Sequence, residues 1–285
     1  MRRYSSLVLL LCTTASWGAS PKKAAATVAA QQAAHCYQGC PTLKPAWRHG
    51  TSVFIARAAY ALEESTTLKV PVWVAEHVTL KEVTGDAERG GFAAEPLLEK
   101  GDRAELADYR DADTQGQRYD RGHQAPAGNH KASQRRMDET FYLSNMCPQQ
   151  PSFNRQFWRE LEARTRSWVR ERGEAYEITG PIFWNGKTIT PKYTYTTIGT
   201  NAVAIPTHFY KIIVAPVERG STEYEAIAFL AENQPHPRPF RFDKFITSIK
   251  NIEDLTGLDF MPNLKAAEHT RLENTEADLW LTKGH

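Results

Sequence analysis

The sequence offers few bulk features that divide the chain or identify its partners. No internal repeat is evident in the 285 residues, and no Gly/Ser-rich or Pro-rich linker interrupts the middle. We therefore expect one large domain with a tail at each end. The formal net charge is only +2, so the net charge alone gives no sign of a nucleic-acid partner. The apolar run at residues 7–12 is too short to span a bilayer.

The N-terminal residues have the pattern of a secretory signal. Arg2 and Arg3 precede the apolar run, and small residues follow at 18–20. We expect a signal peptide at residues 1–20, a mobile lead-in at 21–35, a main domain at 36–265 and a tail at 266–285. The protein is then secreted or periplasmic, without stable membrane association once the signal is removed. A lipid anchor at Cys12 is disfavoured because residues 9–11 are not small.

Removal of the signal would leave three cysteines, Cys36, Cys40 and Cys147. Export favours disulfides, and an odd number leaves one thiol over or an intermolecular bond. Cys36 and Cys40 lie four positions apart, and either could reach Cys147. A zinc site with His35 is disfavoured because no second matched pair of ligands exists.

The run DRGHQAPAGNH at residues 120–130 carries the clearest chemical signal. It places Asp120, Arg121 and His123 within four positions. Gly122 would let the backbone approach a ligand closely. An imidazole can take a proton from water while a guanidinium neutralises an anion. The run therefore favours chemistry on a phosphate.

A strand followed by a helix is predicted after this run. Residues 141–146 alternate bulky and smaller side chains, and residues 147–151 break the strand. Ser152 is a candidate N-cap for a helix to Arg172, which Gly173 would stop. Asn154, Glu162 and Arg166 share one broad face of that helix. An amide oxygen, with a carboxylate acting through water, suits a hard cation, Mg²⁺ best, with Mn²⁺ or Ca²⁺ as substitutes.

The remaining pattern favours an α+β domain with a central antiparallel sheet. Residues 175–183 and 202–217 are predicted as strands, with Pro206 breaking the second. A further strand is predicted at 225–230 and a helix at 242–252. We expect the strand–strand–helix unit on one face of the sheet.

These segments resemble the DNA/RNA non-specific endonuclease family, the ββα-metal (His-Me finger) nucleases. The likeness covers roughly residues 60–262. It rests on several spaced segments in the family's order: DRGH with APA, YLSNM with PQ, FN at 153–154, then Trp158, Leu161, Glu162 and Arg166, with weaker matches at 73–75, 89–92, 178–183 and 255–260. Asn129 and His130 stand where the family often has an acidic residue, which leaves the role of that edge open.

The resemblance implies a role for each matching residue. His123 would be the general base, Asn154 the direct Mg²⁺ ligand, and Glu162 would hold metal-bound water. Arg166 and Arg89 would contact the scissile or a neighbouring phosphate. The remaining implied site residues are Asn145, which would position the base and ligands, and the supporting pair Asp120 and Arg121.

The implied activity is hydrolysis of DNA and RNA with little sequence preference. Between Arg118 and Arg172 eleven Lys/Arg stand against six Asp/Glu, a local excess that suits a polyanion. Two alternatives remain: a nucleic-acid-binding or uptake protein that does not cut, and a phosphodiesterase for a small nucleotide or phospholipid. The intact set of His123, Asn154 and Glu162 argues against the first, and the basic excess against the second. The resemblance also allows a homodimer.

Overall fold

The computed structural model describes residues 30–47, 50–111, 113, 115–184 and 195–281. The expected signal peptide at 1–20 and the first part of the lead-in lie outside the described residues, as does the end of the predicted tail. Residues 30–35, placed in the lead-in by sequence, form helix α1. No helix among the described residues is long and apolar enough to cross a membrane.

The core is a seven-stranded antiparallel sheet, accompanied by three two-stranded ones. The strands are β1 Thr42–Leu43, β2 Ser52–Ala56, β3 Ala61–Ser65, β4 Val70–Thr79, β5 Asp120–His123, β6 Met146–Gln149, β7 Glu174–Ile182, β8 Thr197–Ile198, β9 Val203–Ala204, β10 His208–Pro216, β11 Tyr224–Glu232, β12 Ile246–Thr247 and β13 Leu258–Asp259. The large sheet has the order β12-β11-β10-β7-β4-β3-β2. The pairs β1 with β13, β5 with β6 and β8 with β9 are separate from it.

Both faces of the sheet are covered, because side chains alternate along each strand. On β10, Phe209 and Ile213 pack into the cluster beneath the long helix, while Ile212 and Val214 pack into the cluster on the opposite face. The helices after α1 are α2 Gln134–Glu139, α3 Arg159–Arg172, α4 Ile249–Thr256 and α5 Ala266–Glu273. The predicted α+β fold with a central antiparallel sheet is thus confirmed.

The predicted strand at residues 141–146 is wrong, because the strand begins only at Met146. Residues Leu143–Asn145 form a 3-10 turn, and the backbone around it bonds to Ala93 rather than to a neighbouring strand of a hairpin. The alternation therefore reflects burial in a turn. Pro148 lies inside β6 opposite Arg121, which a two-stranded ribbon tolerates because one of its edges is unpaired.

The long helix ends as predicted but starts differently. Gly173 follows Arg172 with φ 95°, a left-handed conformation that glycine adopts readily. Ser152 makes no capping hydrogen bond; instead Gln150 Oε1 accepts from the Phe153 amide at 2.8 Å. Residues Phe153–Trp158 form a π-helical segment ahead of α3, an irregularity that is frequent at functional sites.

The C-terminal part shows one confirmed and one wrong prediction. Pro206 does separate β9 from β10, as predicted. The predicted helix at 242–252 is instead a 3-10 turn at Phe242–Phe245, strand β12, and then α4 from Ile249. Ser248 accepts a hydrogen bond from the Asn251 amide at 3.1 Å and so caps α4 at a later residue.

The cysteine alternatives are resolved by a disulfide between Cys36 and Cys40. Cys147 is a buried free thiol opposite Gly122 in the β5–β6 hairpin. The disulfide occupies both sulfurs that the disfavoured zinc site would need. It closes a loop whose Tyr37 ring packs on Tyr176 and Tyr224.

His35, next to this disulfide, makes stability sensitive to acid. Burial lowers its pKa to about 4, although the hydrogen bond to Arg57 O, 3.0 Å from Nε2, opposes the shift. Between pH 6.5 and about 4 the unfolded chain therefore holds more protons than the folded one, so stability falls as pH falls through this window. We expect His35→Gln to flatten this part of the stability–pH curve, measured by urea unfolding at pH 7 and pH 4.5. An equally steep curve in the variant would contradict the assignment.

Candidate active site

One cleft collects nearly all the predicted site residues. It lies between the β5–β6 hairpin, the start of the long helix and the segment around Arg89. The predicted residues in its lining are His123, Arg89, Arg121, Asn154, Glu162 and Arg166, together with Asp120 and the further arginines Arg118, Arg155 and Arg159. Asn145 is not one of the described residues that line the cleft.

His123 stands at the end of β5 and contacts two aromatic rings. Its ring centroid lies 5.1 Å from that of Phe141 and 5.7 Å from that of Phe92. Burial, followed by the charges of Arg89 and Arg121, lowers the pKa of His123 to about 3. The imidazole is therefore neutral near pH 7 and able to accept a proton. Its Nε2 is buried without a hydrogen-bond partner among the described residues.

The same two phenylalanines also hold the flanking arginines. The Arg121 guanidinium lies 4.2 Å from the ring centroid of Phe92, and that of Arg89 lies 5.3 Å from the centroid of Phe141. Such cation–π contacts stabilise a guanidinium over a ring face. Two positive charges are thus arranged around one neutral imidazole, which suits the approach of a phosphate.

Asn145 lies behind His123 and is fully buried. Its Oδ1 accepts from the Ala125 amide, and its Nδ2 donates to the carbonyls of Ala125 and Thr140, all at 2.9 Å. These bonds fix the chain that leaves β5 directly after His123. Asn145 therefore acts on the backbone around His123, at a distance from the cleft.

Gly122 does not serve the close ligand approach expected from the sequence. A Cβ at this position would overlap the side chain of Gln149 on the neighbouring strand. The glycine is needed because the two strands of the hairpin pack tightly there. The expected role was wrong, since the neighbour across the hairpin could not be read from the run itself.

Asn154 is oriented by Asp120. Its Nδ2 donates to Asp120 Oδ2 at 2.9 Å, which leaves Oδ1 as the acceptor available to a cation. Arg155 donates to both Asp120 oxygens at 2.7 Å. Among the described residues no three His, Cys, Asp or Glu side chains form a metal cluster. An amide oxygen is the kind of donor that a hard cation accepts while it keeps most of its water.

Glu162 is the second oxygen donor on the same side of the cleft. Burial raises its pKa to about 7, although the charges of Arg166 and Lys211 lower it. A divalent cation nearby would favour the ionised carboxylate for the same electrostatic reason. The amide oxygen of Asn154 and the carboxylate of Glu162 are thus both oxygen donors of the kind that a hard divalent cation prefers.

Three contributors to the site were given no role by the sequence reasoning. Phe92 and Phe141 each contact His123 and one of the two arginines, and Asn129 accepts a hydrogen bond from Arg166 Nη1 at 3.3 Å. The signal for Phe92 was its position three residues after Arg89. Asn129 had a signal too, as the amide that replaces an expected acidic residue at the edge of the run.

Comparison with known protein families identifies the family of this chain. A profile of the family described as DNA/RNA non-specific endonuclease matches residues 44–267. The chain belongs to the DNA/RNA non-specific endonuclease family. The matched stretch of this non-specific endonuclease contains every residue of the cleft, so the family predicted from the DRGH run and the later segments is confirmed.

Individual relatives cover most of the chain. It is 35% identical over 224 residues to mitochondrial endonuclease G of Bos taurus, which covers 76% of this chain and 72% of that protein. It is 37% identical over 217 residues to nuclease C1 of Cunninghamella echinulata var. echinulata, with 74% and 83% covered. A crystal structure of the EndoG/EndoGI complex, which addresses EndoG inhibition, matches with a TM-score of 0.71 at 31% identity and covers 86% of this chain and 94% of that one.

Proposed function

We propose that this non-specific endonuclease is a Mg²⁺-dependent hydrolase of phosphodiester bonds in both DNA and RNA, with Mn²⁺ as a substitute ion. The cleft carries the proposal: the neutral imidazole of His123 shares its lining with six arginines and with the Asn154 amide, whose oxygen is oriented by the Asp120 hydrogen bond. The names of the relatives, endonuclease G and nuclease C1, support nucleic acid as the substrate.

His123 is the proposed general base. It takes a proton from the water that attacks phosphorus, and the bond from phosphorus to the 3′ oxygen breaks. That oxygen leaves and takes a proton from solvent water to become the 3′ hydroxyl. Arg89, Arg121 and Arg166 face the phosphate and offset its growing negative charge. Mg²⁺, held by Asn154 directly and by Glu162 through water, would supply further charge neutralisation at the departing oxygen.

We propose that the cleft binds the phosphate backbone of the nucleic acid rather than its bases. Arg118, Arg121 and Arg159 line the cleft with no carboxylate partner among the described residues. Guanidiniums bind phosphates without reading bases, so they give affinity with little sequence preference. Binding should therefore weaken steeply as salt rises.

The location is proposed from the N-terminal residues. Residues 1–20 have the pattern of a signal peptide, so the protein is secreted or periplasmic, and DNA and RNA outside the cytoplasm are its substrates. Endonuclease G of Bos taurus is named a mitochondrial protein, which describes that relative. The homodimer stays a prediction that rests on the family resemblance.

Incubation of the purified protein with supercoiled plasmid and with RNA tests the function. We expect nicking and degradation of both with Mg²⁺, none with EDTA, and cleavage that falls as NaCl rises. Intact substrates, with salt-sensitive retention of the DNA, would favour the non-cutting uptake protein. Cleavage of a small phosphodiester alone, without competition by heparin, would favour the phosphodiesterase.

A further inference from the structure

A group of buried charges lies in the sheet beneath the cleft. Glu76 on β4 and Glu177 on β7 are each 1% exposed, and they stand directly opposite each other in the register of the two strands. Like charges in directly opposite positions destabilise a sheet. Buried carboxylates also require hydrogen-bond partners, so the structure must supply donors here.

Three side chains supply those donors. Lys211 Nζ donates to Glu177 Oε2 at 2.9 Å, and His130 Nε2 to Glu76 Oε2 at 2.8 Å. Asn129 Nδ2 donates to both carboxylates, at 3.0 Å to Glu76 Oε1 and at 3.2 Å to Glu177 Oε1. Asn129 therefore links the two acids, and it is itself 1% exposed.

These contacts fix which way the Asn129 amide faces. Carboxylate oxygens accept hydrogen bonds, so the amide nitrogen must face Glu76 and Glu177. The amide oxygen then faces the opposite way, where Arg166 Nη1 donates to it at 3.3 Å. The described residues give Arg166 this one side-chain hydrogen bond.

Gly128 provides a second contact for the Arg166 guanidinium. A Cβ at Gly128 would lie 3.1 Å from Arg166 Nη1 and 3.2 Å from Cζ, so the guanidinium packs against the bare backbone of this residue. Residues Ala127–Asn129 form one 3-10 turn. Arg166 thus contacts a turn that is anchored in the sheet. Its own helix, α3, carries Glu162 and continues the π-helical segment that carries Asn154.

We propose that Asn129 is a positioning residue for Arg166, holding its guanidinium at the phosphate by bridging it to the buried Glu76–Glu177 pair. The proposal rests on the proposed function, in which Arg166 faces the phosphate. Because a positioned charge acts mainly in the transition state, loss of the contact lowers kcat more than it changes KM.

A double-mutant cycle with Asn129→Ala and Arg166→Ala tests the proposal. We expect Asn129→Ala alone to lower kcat about tenfold, the weak end for a hydrogen bond to a charged group, with KM changed less than about twofold. In the Arg166→Ala background the same change should have almost no effect, since the residue that it positions is gone. A tenfold loss in both backgrounds, or no loss in either, would overturn the proposal.

Two further variants guard against a simple structural effect. Gly128→Ala leaves the Asn129 contacts intact but pushes a methyl group against the guanidinium, and we expect about a fivefold loss of kcat that also disappears in the Arg166→Ala background. If Asn129→Ala fails to fold, the cycle of Gly128→Ala with Arg166→Ala takes its place. A loss of kcat that is confined to the Arg166 background supports the proposal, and an equal loss in both backgrounds, or none in either, overturns it. Asn251→Ala removes an exposed amide on α4, outside the cleft lining, whose Nδ2 donates to Thr247 Oγ1 at 2.9 Å, and it should keep wild-type kcat.

The experiments distinguish a wrong positioning role for Asn129 from a wrong proposed function. Wild-type protein that does not cut plasmid or RNA with Mg²⁺ would refute the nuclease itself before any variant is made. A wild type that cuts, with additive Asn129 and Arg166 effects, would refute only the positioning role. Thermal unfolding of each variant, measured alongside, shows whether a loss of kcat accompanies a loss of fold.

Discussion

We expect His123→Ala to lose about 10²- to 10⁴-fold in kcat on plasmid DNA, the usual contribution of a general base. The imidazole is the one neutral nitrogen base in the lining of the described cleft, and burial with two flanking arginines holds its pKa at about 3. Its proton-accepting form is therefore populated at neutral pH. Loss of the ring removes the acceptor for the proton of the attacking water.

The variant should remain folded, because His123 ends a short hairpin strand and its backbone partners do not depend on the ring. Circular dichroism and thermal unfolding would show this. His77→Ala is the matched control: His77 pairs with Glu174 at 2.8 Å and stacks on Tyr176, outside the cleft lining. It should cut at the wild-type rate. A His123→Ala enzyme with comparable turnover would remove this residue from the role of base.

The elements predicted best were those set by local pattern. The helix to Arg172 has an apolar stripe and a glycine stop, and strand β10 is a long apolar run after a proline, so each carries its own signal. The strand expected at 141–146 failed because alternation marks burial rather than pairing. Its backbone instead turns through Leu143–Asn145, held by a distant partner at Ala93.

The residues of the cleft likewise divide into those with a local sequence signal and those without one. His123, Asn154 and Glu162 each stand in a short run with a recognisable spacing, and the structure places all three predicted residues in one cleft. The contacts that position the Arg166 guanidinium were not predicted. Glu76 and Glu177 look like isolated acids in apolar strands until the register places them opposite each other. Contacts between residues about 100 positions apart leave no periodic signal in one sequence.

The second large effect is expected for Asn154→Ala. It should raise the Mg²⁺ concentration for half-maximal activity about tenfold or more, since even outer ligands of metal sites change affinity by about 10- to 100-fold. Asn154 offers the cleft an amide oxygen whose direction is fixed by the Asp120 hydrogen bond of 2.9 Å. A Mg²⁺ titration of plasmid nicking measures the shift, and Asn251→Ala should leave the midpoint unchanged.

Asp120→Asn separates the orientation of the amide from its presence. The substituted amide can present its own nitrogen to Asn154 Nδ2, which removes the acceptor and leaves the Oδ1 direction unfixed. We therefore expect a smaller shift of the Mg²⁺ midpoint in the same direction, with activity restored at high Mg²⁺. Unchanged midpoints in both variants would contradict Asn154 as the ligand. A shift in Asp120→Asn alone would assign the metal contact to the carboxylate instead.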